Sequence, residues 1–351
     1  MFNKLFGKFS KDIAVDLGTS NTLVYVKDKG IIINEPSVVA INTRSDQILS
    51  VGEDAKRMLG KTPGHILAVR PLRNGIISDF EVTEKMMRYF IEKIHRESFS
   101  LVPRPRIIIA TPLDITEVER KAVEDVAMSA GAREVFLIEQ PIASAIGARL
   151  PIQEPNGNMI VEIGGGKTEI SVISLGGIVT WKSLNVAGEK FDNDIINYVR
   201  EKYNMFLGEE SAEVLKKSIG TVMTLPKSIK TKVRGRNLLN GLPKEILIKS
   251  DEIRDAIQSS VDTIISAIKD VVEETPPELV SDLYQRGMVL SGGGAMLREF
   301  DKLIYEETKI PVIIADDSLT TVVRGIGIVL EDFDNLKELL LPPTIEESYK
   351  N

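Results

Sequence analysis

Apolar residues alternate with polar ones in short runs along most of this chain. The first clear run is Ile13-Ala14-Val15, which ends on Asp16, turns through Gly18-Thr19-Ser20 and resumes from Asn21 to Val26. That pattern predicts an antiparallel hairpin with an acid at the end of its first strand. Half a chain later it returns as Met159-Ile160-Val161, then Glu162, the turn Gly164-Gly165-Gly166, and a second run through Ile173. Strands are expected over 13–17, 22–27, 31–41, 107–110 and 135–138, and again over 159–163, 169–174, 178–186 and 287–291. Helical periodicity covers 53–60, 83–97, 116–130, the alanine-rich 141–150, 190–203, 209–219 and 250–274, with Pro276-Pro277 ending the last. After the strand at 287–291, Gly292-Gly293-Gly294 reads as a turn leading into a helix. The repeated order of strands followed by helices predicts a duplicated α/β chain. Each of two domains is built on a five-stranded mixed sheet with a smaller subdomain. Pro151–Gly157 is the expected boundary.

Glycines let backbone N–H groups approach an anion closely, and small hydroxyl or amide side chains add donors. An acid beside such a turn repels phosphate directly but can hold the water shell of a Mg²⁺ ion that neutralises it. One such turn is also what any tight hairpin uses; two copies point to a clamp on a nucleotide's phosphates. Gly292–Gly294 would add a third wall, either offering N–H groups or letting a flat group lie on backbone. Gly166-Lys167-Thr168 resembles the end of a P-loop, but Val161 stands where the leading glycine belongs and a strand follows. A P-loop is therefore not expected.

At 351 residues, 43% hydrophobic and 27% charged, the composition is that of a globular protein with room for two cores. The net charge of −7 argues against nucleic acid as a partner, and the basic stretch Lys227–Arg236 reads as a solvated strand face. With no cysteine there is no disulfide framework or thiolate site. The two histidines, His65 and His95, exclude a multi-histidine metal site and are expected at the surface. No apolar run is long enough to span a membrane. Residues 1–11 differ from the rest. Helical spacing gathers Phe2, Leu5, Phe6 and Phe9 on one side, with Lys4, Lys8 and Lys11 opposite. This suits an anionic membrane surface; a short helix docked on the protein's own core is the alternative. The lysines interrupt the apolar region too often for a secretory signal. A loop at 98–106, carrying Phe99, Leu101 and Val102 beside arginines, is either a second membrane contact or buried under a neighbour.

The hairpins, the Ser291–Leu297 turn and their connecting helices resemble the actin, sugar-kinase and heat-shock-chaperone ATPase fold. The wording is closest to the MreB family of bacterial actins, in Asp16–Val26, Asn34–Ala40, Arg70-Pro71-Leu72, Val135–Glu139, Val233–Leu238 and Arg286–Ala295. The resemblance runs from about residue 12 to 335. It implies an actin-like, duplicated ribonuclease-H-like fold. Domain I would span 12–150 and 315–340 with a small subdomain near 34–70. Domain II would span 151–314 with one near 183–243, and 341–351 would form a tail. It also implies an ATP or ADP site in which Gly18, Thr19, Ser20 and Asn21 hold one side of the phosphates and Gly164, Gly165 and Gly166 the other. Gly292, Gly293, Gly294 and Ala295 would lie along the adenosine, with Glu213 and Lys216 flanking the base or ribose. Asp16 and Glu162 would position Mg²⁺ through water. Three residues depart from the family pattern. Gln140, after Glu139, stands where a glutamate polarises the attacking water; Glu162 replaces an aspartate; Lys167 replaces a threonine. Lys167 either brings a cation to the terminal phosphate or points into solvent. These departures favour weak hydrolysis by Glu139, Gln140 and Lys167. The implied protein polymerises with itself, in paired protofilaments, at the inner membrane surface, and governs cell shape; other actin-like or membrane cytoskeletal proteins are further candidate partners. A divergent paralogue acting in motility and a small-molecule kinase of the same fold are the alternatives. The kinase would need a carboxylate base that the sequence does not offer. A chaperone would need a peptide-binding domain beyond residue 335.

Four apolar side chains at the headgroup boundary give a modest, salt-sensitive lipid affinity. Replacing Phe2, Phe6 and Phe9 by serine should therefore lower co-sedimentation with vesicles containing anionic lipid. Unchanged sedimentation would assign binding to another surface.

Overall fold

The computed structural model describes residues 11–96 and 104–342, so the expected membrane segment 2–9 and the apolar residues of the 98–102 loop lie outside the described part. Among the described residues, no helix is long and apolar enough to cross a membrane. The chain divides into two compact units, residues 1–152 with 320–351, and residues 153–319.

The first unit is built on β1 (Ile13–Leu17), β2 (Asn21–Val26) and β3 (Gly30–Pro36), a meander. The segment expected as one strand over 31–41 breaks at Pro36-Ser37, and β4 (Val39–Asn42) joins a different sheet. Proline cannot donate to a ladder, and Val38 turns back to bond the Pro36 carbonyl at 2.8 Å. β4 pairs with β5 (Gln47–Val51) and β6 (Ile66–Val69) in a three-stranded sheet. Between them, the helix expected over 53–60 is only α1 (Glu53–Lys56), after which i→i+3 bonds at Met58 and Leu59 tighten the chain into turns. The short pair β7 (Leu72–Arg73) and β8 (Ile76–Ile77) precedes α2 (Phe80–His95). This helix starts earlier than its periodicity suggested because Asp79 caps it, accepting from the Val82 N–H at 3.1 Å. His95, expected at the surface, is buried. Its Nδ1 bonds the Ile91 carbonyl at 2.7 Å, its Nε2 accepts from the Lys11 N–H at 3.2 Å, and burial holds its pKa below the usual value. β9 (Arg106–Thr111), α3 (Glu117–Ser129), β10 (Glu134–Glu139) and α4 (Gln140–Gly147) complete this stretch. The main sheet has the order β10-β9-β1-β2-β3, with β1, β9 and β10 parallel.

The second unit repeats this plan. β11 (Asn158–Ile163), β12 (Thr168–Ser174) and β13 (Gly177–Leu184) form the meander. After them come α5 (Gly188–Tyr203), β14 (Met205–Phe206), α6 (Glu209–Ile219), β15 (Lys230–Asn237), β16 (Pro243–Lys249), α7 (Ser250–Glu274) and α8 (Pro277–Arg286). β17 (Met288–Ser291), α9 (Phe300–Thr308) and β18 (Val312–Ile314) follow. The sheet order is β13-β12-β11-β17-β18, with β11, β17 and β18 parallel, which reproduces the first sheet strand for strand. β14, β15 and β16 form a small sheet on which Lys230, Lys232, Arg234 and Arg236 face outward, the solvated basic face that the sequence suggested. The helix expected directly after the triple glycine is a single 3₁₀ turn, Gly293–Met296; α9 starts only at Phe300, behind Glu299 in a left-handed conformation.

The chain then returns to the first unit as α10 (Thr321–Glu331) and α11 (Phe333–Leu336). α10 crosses α4 backbone to backbone. A Cβ placed on Gly325 would stand 1.7 Å from the Ala143 carbonyl oxygen, and one on Gly147 would stand 1.8 Å from that of Thr321. The contact is rigid main chain, so no rotamer can relieve an added methyl group. Gly325→Val should therefore cost at least about 3 kcal/mol. It should lower the thermal midpoint by roughly 6–12 °C, measured by circular dichroism. An unchanged midpoint would mean that the two helices are not in contact at these glycines.

Candidate functional site

In the first unit, Asp16, Glu139 and Gln140 stand at the carboxyl end of the three parallel strands. Asp16 is level with Ala110 on β9, which is level with Ile138 on β10. Asp16 and the β10 terminus are therefore two strand spacings apart, about 10 Å. Burial pushes the Asp16 carboxyl up to about 7. Glu139 is also raised by burial, and the positive charge of Arg120 opposes that rise. Glu139 stands at the N-cap position of α4 without a side-chain capping bond, and Pro141, in the first turn, needs no hydrogen-bond donor there. Beside Asp16, the turn Gly18-Thr19-Ser20 is fastened from outside. Ser37 Oγ donates to the Gly18 carbonyl at 2.6 Å and lies 2.9 Å from Thr22 Oγ1, while the Ser37 N–H donates to the Ser20 carbonyl at 3.0 Å. Thr19 is buried, and its hydroxyl accepts from the Gly75 N–H at 2.7 Å. Asn21 Nδ2 donates to Asn34 Oδ1 at 2.9 Å.

In the second unit, Glu162, the Gly164–Gly166 turn and Gly292–Ala295 meet at one end of β11 and β17. Glu162 is in register with Ser291 on one side and Glu169 on the other, and all three are buried. Two carboxyls directly across a strand pair repel each other when both are charged. Lys167 is itself buried, 8% exposed, so it does not point into solvent. The Gly164 N–H bonds the Lys167 carbonyl at 2.8 Å, closing the turn. The start of α5 bonds the turn's other carbonyls: Gly188 N–H to Gly164 O at 3.1 Å and Glu189 N–H to Gly165 O at 2.8 Å. Lys216 fixes that helix start, donating to the Gly188 carbonyl at 2.7 Å and to Asp192 at 2.8 Å. Glu213, one turn earlier on α6, pairs with Lys217 at 2.5 Å. Gly292 and Gly294 are glycines because they press on β11. Added Cβ atoms would stand 2.4 Å from the Ile163 carbonyl oxygen and 2.1 Å from its side chain. At Gly293 only Leu319 comes near, at 3.3 Å. Met296 and Leu319 are exposed there and Ala295 is buried.

Sequence reading missed Ser37, Gly75, Glu169 and Asp192. Ser37 lies inside the recognised stretch Asn34–Ala40 and Glu169 inside the second hairpin, but nothing local tells a serine that ties a turn from one that faces water. Gly75 and Asp192 act only through chain folding.

A protein-family model described as MreB/Mbl protein matches residues 10–338. The chain is 51% identical to the Cell shape-determining protein MreB of Escherichia coli strain K12, over 95% of this chain and 97% of that protein. It is 46% identical to the Cell shape-determining protein Mbl of Bacillus subtilis strain 168, over 93% and 98%. Among solved structures, MreB5 of Spiroplasma citri bound to ADP superimposes with a TM-score of 0.88 at 36% identity, over 94% of this chain and 98% of that one. The duplicated sheets, the acid-bearing hairpins and these matches together make the chain a member of the MreB/Mbl family of actin-like, cell shape-determining proteins.

Proposed function

We propose that the chain binds ATP with Mg²⁺, assembles into paired protofilaments of itself at the inner face of the cell membrane, and hydrolyses ATP slowly. The observation that carries the nucleotide reading is common to both units: an acid at a strand end beside a turn whose carbonyls are taken up by fixed donors. Such a turn offers its N–H groups to an anion. In this reading Gly18, Thr19, Ser20 and Asn21 and, in the second unit, Gly164, Gly165 and Gly166 bind phosphate. Gly292–Ala295 carries the adenosine with Met296 and Leu319 as apolar flanks, and Glu213 and Lys216 border the base or ribose. Mg²⁺, when bound, offsets the phosphate charge, and Asp16 and Glu162 orient its water shell. The relative from Spiroplasma citri has been solved with ADP and with AMPPNP, which supports an adenine nucleotide as the ligand. A head-to-tail contact between copies is heterologous and propagates into a filament. Attachment to the membrane rests on Phe2, Leu5, Phe6 and Phe9.

Hydrolysis needs a water held in line with the γ-phosphate and a destination for its proton. Gln140 can orient the water through its amide but cannot accept a proton. Glu139 is the nearby carboxylate, and burial disfavours its charged form. Lys167, buried in the second unit, adds a cation that stabilises bound phosphate in the ground state as much as in the transition state, which does not speed chemistry.

A positioned general base contributes roughly 10²–10⁴-fold. Gln140→Glu combined with Lys167→Thr should therefore raise phosphate release from polymerising protein, with Gln140→Glu alone leaving nucleotide affinity nearly unchanged. Equal release by wild type and the double variant would show that other residues limit turnover.

A further inference from the structure

β10 is an edge strand of the first unit's sheet, and such an edge presents unpaired backbone groups. The last described stretch of the chain fastens along it. Phe333 packs edge-on against Phe136 with ring centroids 5.0 Å apart, and the Arg106 guanidinium lies 4.1 Å from the Phe333 ring centre. Eight residues further on, the Leu341 N–H donates to the Leu137 carbonyl at 2.8 Å, and its half-buried side chain joins the core of this unit. Leu137 is two residues before Glu139 on the same strand. The Pro342 carbonyl then accepts from Arg120 Nη2 at 2.7 Å.

Arg120 lies on α3 with its side chain only 13% exposed. Nη1 reaches Glu117 at 3.3 Å, and Nε is buried with no hydrogen-bond partner. One guanidinium therefore holds the C-terminal segment, which in turn bonds β10 two residues before Glu139, and its positive charge opposes the rise that burial imposes on Glu139. Its unpartnered Nε costs stability.

We propose that Phe333–Pro342 is a clasp on the free edge of β10, and that Arg120, gripped by the clasp through the Pro342 carbonyl, is a positioning residue for ATP hydrolysis acting through Glu139. The proposal rests on the reading of Glu139 and Gln140 given above. The clasp fixes the last residues of β10, which carry Glu139, and the Arg120 charge offsets part of the rise that burial imposes on the Glu139 carboxyl.

The test uses the full chain with Arg120→Met, Arg120→Lys and Glu139→Gln. Three quantities are read: kcat for phosphate release at saturating ATP, affinity for a fluorescent ATP analogue, and hydrogen exchange of the Leu341 amide without nucleotide. Arg120→Met should lower kcat roughly tenfold, leave affinity unchanged and speed exchange at Leu341. Arg120→Lys should recover most of the rate, because the charge returns although the planar fork does not. Should Arg120→Met fail to fold, Phe333→Leu loosens the clasp at its other end and should lower kcat in the same direction. A wild-type kcat in Arg120→Met, with Glu139→Gln slow, overturns this proposal alone. So does unchanged exchange at Leu341, or a fall in affinity that matches the fall in kcat. A wild-type kcat in Glu139→Gln overturns the reading of the site beneath it, and the proposal with it.

Discussion

A tight turn can receive an anion only if its carbonyl oxygens are kept away from the ligand. Both glycine-bearing turns of this chain meet that condition with donors from elsewhere in their own unit. In the first, Ser37 supplies a hydroxyl and an N–H to the carbonyls of Gly18 and Ser20. In the second, the first N–H groups of α5 serve Gly164 and Gly165. The second solution also uses donors at a helix start that have no intrahelical partner. Lys216 and Asp192 then hold that helix start in place, so a side chain on α6 contributes to the shape of a turn it does not touch.

The duplicated sheets place the candidate residues at the same end of each unit. Parallel strands β1, β9 and β10 finish together, as do β11, β17 and β18, and a chain leaving such strands turns where ligands bind in α/β sheets. The two copies then diverge beyond these ends. β9 ends at Thr111, whereas its counterpart β17 ends at Ser291 and continues into glycines pressed on Ile163; β10 ends at Glu139 and leads directly into α4, whereas its counterpart β18 ends at Ile314. Burial raises the carboxyls of Asp16 and Glu139, and the registered carboxyls of Glu162 and Glu169 sit in the second unit.

The strands and most helices were legible because short apolar runs and period-3.6 patterns report burial directly, as in β1, β11 and α7. Punctuation was harder to read. The break at Pro36-Ser37 splits what looks like one apolar run, and Asp79 starts α2 before its periodicity begins. His95 sits in the charged stretch Glu92–Glu97, yet the fold brings the Lys11 backbone onto its ring. Of the candidate site, the turns and acids could be read from motif wording. Their supports could not, because Gly75, Asp192 and the Arg120–Pro342 contact join residues far apart in the chain. Sequence spacing also suggested a helix after Gly294, whereas the glycines packed on Ile163 lead into a single 3₁₀ turn that ends at Leu297 in an extended conformation.

The central proposal is that the carbonyl-tied turn of each unit offers its N–H groups to phosphate. A crystal structure of the protein with AMPPNP and Mg²⁺ tests it most directly. Phosphate oxygens should lie within hydrogen-bond distance of backbone N–H groups in both Thr19–Asn21 and Gly164–Gly166, with the metal's water shell reaching Asp16 and Glu162. A nucleotide whose phosphates touch neither turn, or only one of them, would contradict the account.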